Sequence, residues 1–406
     1  MRKSRLAAVI AGAVVLGLAA TGCSSGGSSS GGKTALTVED YFSQPNAATY
    51  DKIYQACGKS IGVTVKSTHV AGAGLIAKVL QQSSSKTLPD VLMLDNPDVQ
   101  QIAATGALAP LKDFGITGDG LTPAAVKAGT YKGQLYGAQP LANSIALFYN
   151  TDILQAAGVQ PPKTWDELQS AAQKLTDPSK GQYGFAMSNI NTYEGSWQFL
   201  PFFWGNGGDE KNIDTPEAAQ ALQFMVDLQN DGSMSKSSVS WAQADVNNQF
   251  IAGKAAMMIN GPWQLPALNA AKGLKFDSVP IPVRTASQTG IAPLGGEAFT
   301  VPVTGNKDTM ALAGKFVGCL NATKSQTKIA GVTGNVPSDS KTADAWAADH
   351  PQVASFVTVV KTARARTGEL GPDWPKAATK MYTAVQLALT GKADPADALK
   401  QAQAGN

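Results

Sequence analysis

The chain has 406 residues, 43% of them hydrophobic and 16% charged, which is enough for a large core and, at this length, for two domains. Its 33 basic residues against 30 acidic include Arg2, Lys3 and Arg5, so beyond the acid-free residues 1–22 the chain is formally neutral. Arginine elsewhere is confined to Arg284, Arg364 and Arg366, and there is no basic tract, which excludes a nucleic-acid partner and a phosphate-reading surface.

Residues 1–22 read as a secretory signal: a basic start, an apolar stretch from Leu6 to Ala20, too short for a convincing spanning helix, and then Thr21-Gly22. A small pair ahead of Cys23 resembles a lipobox, with Ala20 standing where Leu is preferred. Lipidation of Cys23 would add two or more acyl chains, enough for stable anchoring; the alternative is ordinary secretion with an unmodified cysteine. Residues 23–33, almost all Ser and Gly, form a tether, about ten such residues spanning roughly 17 Å as a coil. The expected location is extracytoplasmic, lipid-anchored to the cell membrane.

Ala35–Glu39 is a short β-type run, with Tyr41, Phe42 and Ser43 at its C-terminal end. Ala47–Cys57 is helical and stops at Gly58, Gly62–His69 is a strand, Leu75–Gln82 a helix, Asp90–Leu94 a buried strand, and Val99–Thr105 a helix stopped by Gly106. This βαβαβα rhythm predicts parallel strands with right-handed crossovers, whose ligands sit beyond the C-terminal strand ends. Phe42, Ser43, Asp95 and Asn96 fall there; Asp95 and Asn96 also suit capping of the helix after Pro97. The Gly72-x-Gly74-x-x-Ala77 run has dinucleotide spacing but follows the second strand, and a strand-to-helix loop accounts for it.

Gly133–Asn150 reads as two apolar strands broken at Gln139-Pro140, the second being Ile145–Tyr149. Thr164 and Glu167 have capping-box spacing, which makes Trp165 structural. Tyr183–Met187 is a buried strand; Asn189–Trp197 is a polar, aromatic loop leading into an apolar helix Phe199–Trp204, with Glu194 a hydroxyl acceptor and Trp204 a core residue. Pro216–Asn230 is an amphipathic helix. Trp241 lies in a polar loop ahead of a helix Val246–Ile251, where it stacks on solute or pins the loop.

Phe250–Lys254 ends that helix at Gly253, Ala255–Ile259 is a buried strand, and Asn260-Gly261-Pro262 turns the chain to Trp263. This delivers an amide, bare backbone and an indole to one spot, a binding wall or equally a core strand with a packed Trp. Pro280–Val283 and Gly290–Val301 follow; Gly295-Gly296 suits close backbone approach or a bulge, with Glu297 after it. Thr309–Asn321 is a helix, Ala330–Ser338 a loop, and Val353–Thr362, Lys376–Thr390 and Ala396–Gln403 helices. Tyr382 and Arg366 are marginal site candidates, with surface packing the other reading.

Cys57 and Cys319 remain after Cys23, and an exported pair permits a disulfide, two buried thiols being the alternative. Two histidines on distant segments, His69 and His350, give no metal site. No nucleophile elbow or assignable carboxylate pair points to catalysis, and no cofactor is expected.

The stretch Phe250–Trp263 resembles the Phe-x-x-Gly-Lys-Ala-Ala-Met…Gly-Pro-Trp signature of family 1 extracellular solute-binding proteins, the maltose-binding-protein-like sugar-binding lipoproteins of bacterial ABC importers. Pro162–Leu168, Gly133–Asn150, Pro293–Glu297 and Ala384–Lys392 are similar to further segments of that family. The resemblance implies a two-lobed α/β fold of the periplasmic-binding-protein type (type II), with a cleft between lobes joined by hinge crossovers. It implies one lobe from residues 34–142 plus 298–340 and another from 143–297 plus 341–406. Asn143 and Ser144 would line the hinge, Trp197 would stack on ligand, and Gly295-Gly296 would lie on the second crossover. A carbohydrate, importer permease subunits and the membrane are the expected partners of a monomer. The rivals are the same fold with a non-sugar polar solute and a secreted α/β glycoside hydrolase. Few cleft acids speak against polyamines, and few arginines against anions.

Overall fold

A computed structural model describes residues 35–42 and 46–405. Ser43, the signal and tether over residues 1–33, and the lipidation expected at Cys23 lie outside the described residues. The described residues form one compact unit.

The chain runs β1 (Ala35–Asp40), α1 (Asn46–Ser60), β2 (Thr64–His69), α2 (Gly72–Ser85), β3 (Val91–Asp95) and α3 (Asp98–Ala104). It continues through α4 (Pro123–Gly129), the short strands β4 (Thr130–Tyr131), β5 (Gln134–Leu135), β6 (Gly137–Ala138) and β7 (Leu141–Ala142), then β8 (Ala146–Asn150). Next come α5 (Thr151–Ala157), α6 (Trp165–Leu175), β9 (Tyr183–Ala186), α7 (Tyr193–Gly205), α8 (Pro216–Asn230), α9 (Gln243–Ile251), β10 (Ala255–Asn260), α10 (Leu265–Ala270) and β11 (Phe276–Val279). The return comprises β12 (Glu297–Thr300), α11 (Lys307–Asn321), α12 (Thr323–Thr333), β13 (Val336–Pro337), α13 (Ser340–Asp349), α14 (Ala354–Thr362), α15 (Trp374–Leu389) and α16 (Pro395–Ala404).

Two sheets organise two lobes. The first has the order β2-β1-β3-β12-β6; β1 is parallel to β2 and β3, and β12 returns antiparallel between β3 and β6. Alternating side chains bury both faces: Val91, Met93 and Phe299 pack beneath α1 and α11, while Leu92, Leu94 and Ala298 pack against Leu75 and Ile102. In the second sheet, β11-β8-β10-β9, the inner strand β10 is buried on both faces, while β11 is a partly exposed edge. Leu147 and Ile259 face a core completed by α7, α8, α15 and α16; Phe148 and Met258 face Phe250 and Phe356.

Several local expectations change. Helix α1 passes through Gly58 to Ser60, because Gly58 serves close packing: a Cβ there would come 2.6 Å from the Val65 side chain and 2.8 Å from the Val63 carbonyl. Gly72 and Gly74 lie inside α2 and form no loop. Residues 323–333 and 340–349 are helices where a loop was expected or nothing was assigned. The loop expected over Asn189–Trp197 ends early. Thr192 caps α7 by accepting from the Glu194 N–H at 3.3 Å, which places Tyr193, Glu194 and Trp197 on a helix. Thr192→Ala should cost about 1 kcal/mol, the usual worth of an N-cap, read as a lower urea midpoint; no change would show that α7 is held by its packing alone.

Cys57 on α1 and Cys319 on α11 form a disulfide, with Cα atoms 5.8 Å apart. Trp165 is structural, stacked on Phe224 with its indole N–H donating to the Pro282 carbonyl at 3.2 Å. Trp204 is a core residue, 3% exposed. Among the described residues no helix is long and apolar enough to cross a membrane.

Candidate functional site

The C-terminal end of β3, the start of β12 and the first turn of α7 converge. Asp95 and Glu297 are direct cross-strand partners in the first sheet, so two carboxylates share one face. Like charges in that position repel, and two groups relieve them. Arg366 forks onto Asp95, Nη1 donating to Oδ2 at 2.9 Å and Nη2 to Oδ1 at 2.5 Å. Tyr41 donates its phenol to Glu297 Oε1 at 3.2 Å. Asp98, 3% exposed at the start of α3, accepts from the Tyr193 phenol at 3.4 Å.

Arg366 reaches this place at the start of a short 3-10 turn, Arg366–Gly368, that follows an extended stretch. Arg364 exchanges backbone hydrogen bonds with the strand carrying Ala292 and Leu294, at 2.8 Å each. The Arg364 side chain turns the other way, over the Trp204 ring and onto both oxygens of buried Glu210. Arg366, two residues on and past the extended stretch, points inward, 4% exposed, its guanidinium 4.5 Å above the Trp197 ring. What stacks on Trp197 in this structure is Arg366, and the indole itself is 6% exposed. The surface packing read for Arg366 is corrected: 271 residues of chain separate it from Asp95, and nothing local signals the pair.

Burial and the neighbouring Asp95 push the Asp98 carboxyl up to about 8 and that of Glu297 up to about 7, against the pull of Arg366. An acid whose folded pKa exceeds its unfolded value stabilises the fold fully below the unfolded value, and that contribution fades as pH rises through the folded one. Stability should therefore fall between about pH 4 and pH 8. Asp98→Asn should stabilise the protein relative to wild type at pH 8 and lose the advantage near pH 4, as read by urea unfolding. Parallel pH profiles for the two proteins would refute the assignment.

The other residues singled out by sequence divide into two groups. Asn96 is fully buried, and its amide donates to the Leu294 carbonyl at 3.4 Å; neither it nor Asp95 caps α3. Asn143 and Gly295 form a β-bridge, and Ser144 donates to the Pro293 carbonyl at 2.7 Å. The close approach at the glycine pair is made by the protein itself: a Cβ on Gly295 would sit 2.0 Å from Asn143 Oδ1, and one on Gly296, at φ +126°, 2.5 Å from the Leu141 carbonyl. These residues brace the crossover.

The second group gathers at the N-terminus of α9. Glu194 accepts from the Gln243 N–H at 2.7 Å, and burial pushes its carboxyl up. Asn260 is fully buried; its amide N–H donates to the Gln243 carbonyl at 2.9 Å, and its oxygen accepts from Gly261 N–H and Gln264. Trp241 and Trp263 are half-buried at its edge, the Trp263 ring folded over Gly261. Phe42 is half-buried and stacked on Tyr50, centroids 3.7 Å apart. Tyr382 stands apart on α15, its hydroxyl bonded to Thr379 one turn back. An open depression of about 790 Å3 lined by Gln100, Asp119, Lys127 and Glu369 contains none of the residues the sequence points to.

Sequence reasoning missed Tyr41, Asp98 and Tyr193 and undervalued Arg366. Asp98 carried a signal, a second acid three residues beyond Asp95 at the same strand end. Among the described residues no group of three or more His, Cys, Asp and Glu side chains is placed to hold a metal ion.

A two-lobed α/β molecule with a buried polar and aromatic cluster where strand ends of one lobe meet a helix of the other is a cleft-binding protein in design. Residues 52–355 match the model of the bacterial extracellular solute-binding protein family, and the chain belongs to that family. The maltotriose-binding protein of Pyrococcus abyssi is 30% identical over 246 residues, 56% of this chain and 50% of that relative, so the match spans half of its length. A maltooligosaccharide ABC transporter solute-binding lipoprotein of Streptococcus pneumoniae is 25% identical over 74% of this chain and 72% of its own. Among solved structures, the GacH receptor of Streptomyces glaucescens, described unliganded and with acarbose, superposes with a TM-score of 0.79 at 26% identity, covering 91% of this chain and 97% of that one. A solute-binding protein from Thermotoga lettingae bound with α-D-tagatose has a TM-score of 0.81 at 23% identity, over 91% and 98%.

Proposed function

We propose that the protein is the substrate-binding component of an ABC importer for a mono- or oligosaccharide, which it encloses between its lobes and delivers to permease subunits. The observation that carries this is the union, where the ends of β3 and β12 meet the first turn of α7, of carboxylates, a guanidinium and phenol and indole rings. Sugar hydroxyls are costly to desolvate unless each finds a partner, and the C–H faces of a sugar ring suit aromatic surfaces. Tyr41, Asp95, Asp98, Tyr193, Glu297 and Arg366 face the ligand, with Glu194, Trp241 and Trp263 at the rim and Phe42 beyond Tyr41. The lobes follow the division at residues 142/143, 297/298 and 340/341. The protein acts as a monomer anchored through lipidated Cys23, and it binds without catalysis. The names of the maltotriose and maltooligosaccharide relatives support the sugar reading.

The test is a thermal-shift screen of residues 33–406 against mono- and oligosaccharides. Ligand at a hundred times its Kd should add about 2.7 kcal/mol of stability. A shift from one sugar class, with the sugar recovered intact, is the expected result. A sugar recovered cleaved would make the protein a hydrolase, and silence across the panel would move the ligand outside the saccharides.

A further inference from the structure

We propose that the cleft takes a saccharide bearing a protonated amino group, seated among Asp95, Asp98 and Glu297, in preference to the matching neutral saccharide. This rests on the sugar reading above and narrows its ligand class. Three carboxylates converge on one guanidinium, and that guanidinium is spent on Asp95. Glu297 and Asp98 receive a phenol each, and among the described residues no Lys, Arg or His is within ion-pair distance of either. Glu297 lies directly opposite Asp95 across the ladder, and the guanidinium that relieves the pair is hydrogen-bonded to Asp95, which leaves Glu297 a phenol and no cation of its own.

A second, independent feature points to a ligand. Arg366 Nε and Trp197 Nε1 are buried donors with no partner, on side chains 4% and 6% exposed that stack on each other beside these acids. Orphaned buried donors are costly and call for an acceptor. The ligand must therefore supply positive charge for the acids and an oxygen for the donors. A polyamine satisfies the first demand only, and a neutral sugar the second only. An amino saccharide meets both with charge-assisted hydrogen bonds. The elevated carboxyls of Glu297 and Asp98 agree: unliganded, they hold protons near neutrality, which an arriving ammonium group displaces.

The experiment is calorimetric titration of the whole mature protein at pH 7 with matched pairs. The pairs are glucosamine oligosaccharides against their N-acetylated forms, and glucosamine against glucose. We expect the amine-bearing member of at least one pair to bind at least about tenfold more tightly. Its binding should release protons to buffer, and the preference should vanish in the Asp98→Asn, Glu297→Gln double variant. Equal or tighter binding of the neutral members overturns the amine assignment and leaves the sugar reading standing. A preference that survives in the folded double variant overturns the role of the acids. Silence of both pairs together with a silent saccharide screen overturns the sugar reading, and the amine assignment with it.

Discussion

Arg366→Ala should lower stability by about 3–5 kcal/mol at pH 8, the usual consequence of breaking a buried ion pair from one side. Asp95 would then face Glu297 across the ladder with no cation between them, and Asp98 would lose the same relief. The Asp98 and Glu297 carboxyls would rise further. Raised acids favour the folded state when protonated, so the loss should shrink at pH 5. That pH dependence separates lost electrostatics from lost packing against Trp197, which no titration would restore. Arg366→Lys keeps the charge but not the planar fork, and should recover only part of the loss. Urea unfolding of the three proteins at both pH values reads the result; an equal loss at pH 5 and pH 8 would reduce Arg366 to a packing residue. Saccharide affinity should fall with the same substitution, because Nη2 also holds Asn96 at 3.4 Å and the guanidinium covers the indole.

Removal of the disulfide should have a comparable effect by a different route. Cys57 and Cys319 are separated by 262 residues, so the bond closes most of the chain into one loop. Chain-entropy arithmetic assigns a loop of that size about 5.6 kcal/mol, and native bridges commonly deliver about 2–5 kcal/mol. The Cys57→Ser, Cys319→Ser variant should unfold at a lower urea midpoint by that amount. Part of the loss should appear as a larger m-value, since the unbridged unfolded chain exposes more surface. Saccharide affinity should be preserved, because the bridge joins two helices in the first-lobe core and carries no cleft residue. An unchanged midpoint would mean that the α1–α11 contact holds without the bond.

The two results differ in what sequence could foresee. The cysteine pair was legible as a candidate from number and export context. The ion pair was not, although both partners were in view. Asp95 was placed at the cleft by the rule for parallel strand ends, whereas Arg366 sits in a stretch whose pattern gives no direction. Gly295 and Gly296 were singled out for the right property, close approach. The approaching atoms, however, belong to Asn143, Trp197 and Leu141.

What the sequence by itself determined is what neighbours within a turn or a strand decide. Short β-type and apolar runs set the strands β1, β3, β8 and β10, helical spacing set α8 over the full span Pro216–Asn230, and glycine breakers ended α3 and α9. The signature around Phe250–Trp263 identified the family, because repeated local pattern is what a family shares. The tertiary structure alone decided which side chains meet. Asp95 with Asp98, Tyr193, Glu297 and Arg366 come from four distant stretches. Only the crossing of the chain between two sheets brings them within hydrogen-bonding reach, and burial there sets their charge. A residue's periodicity tells which face it occupies; the partner waiting on that face is fixed by contacts hundreds of residues away.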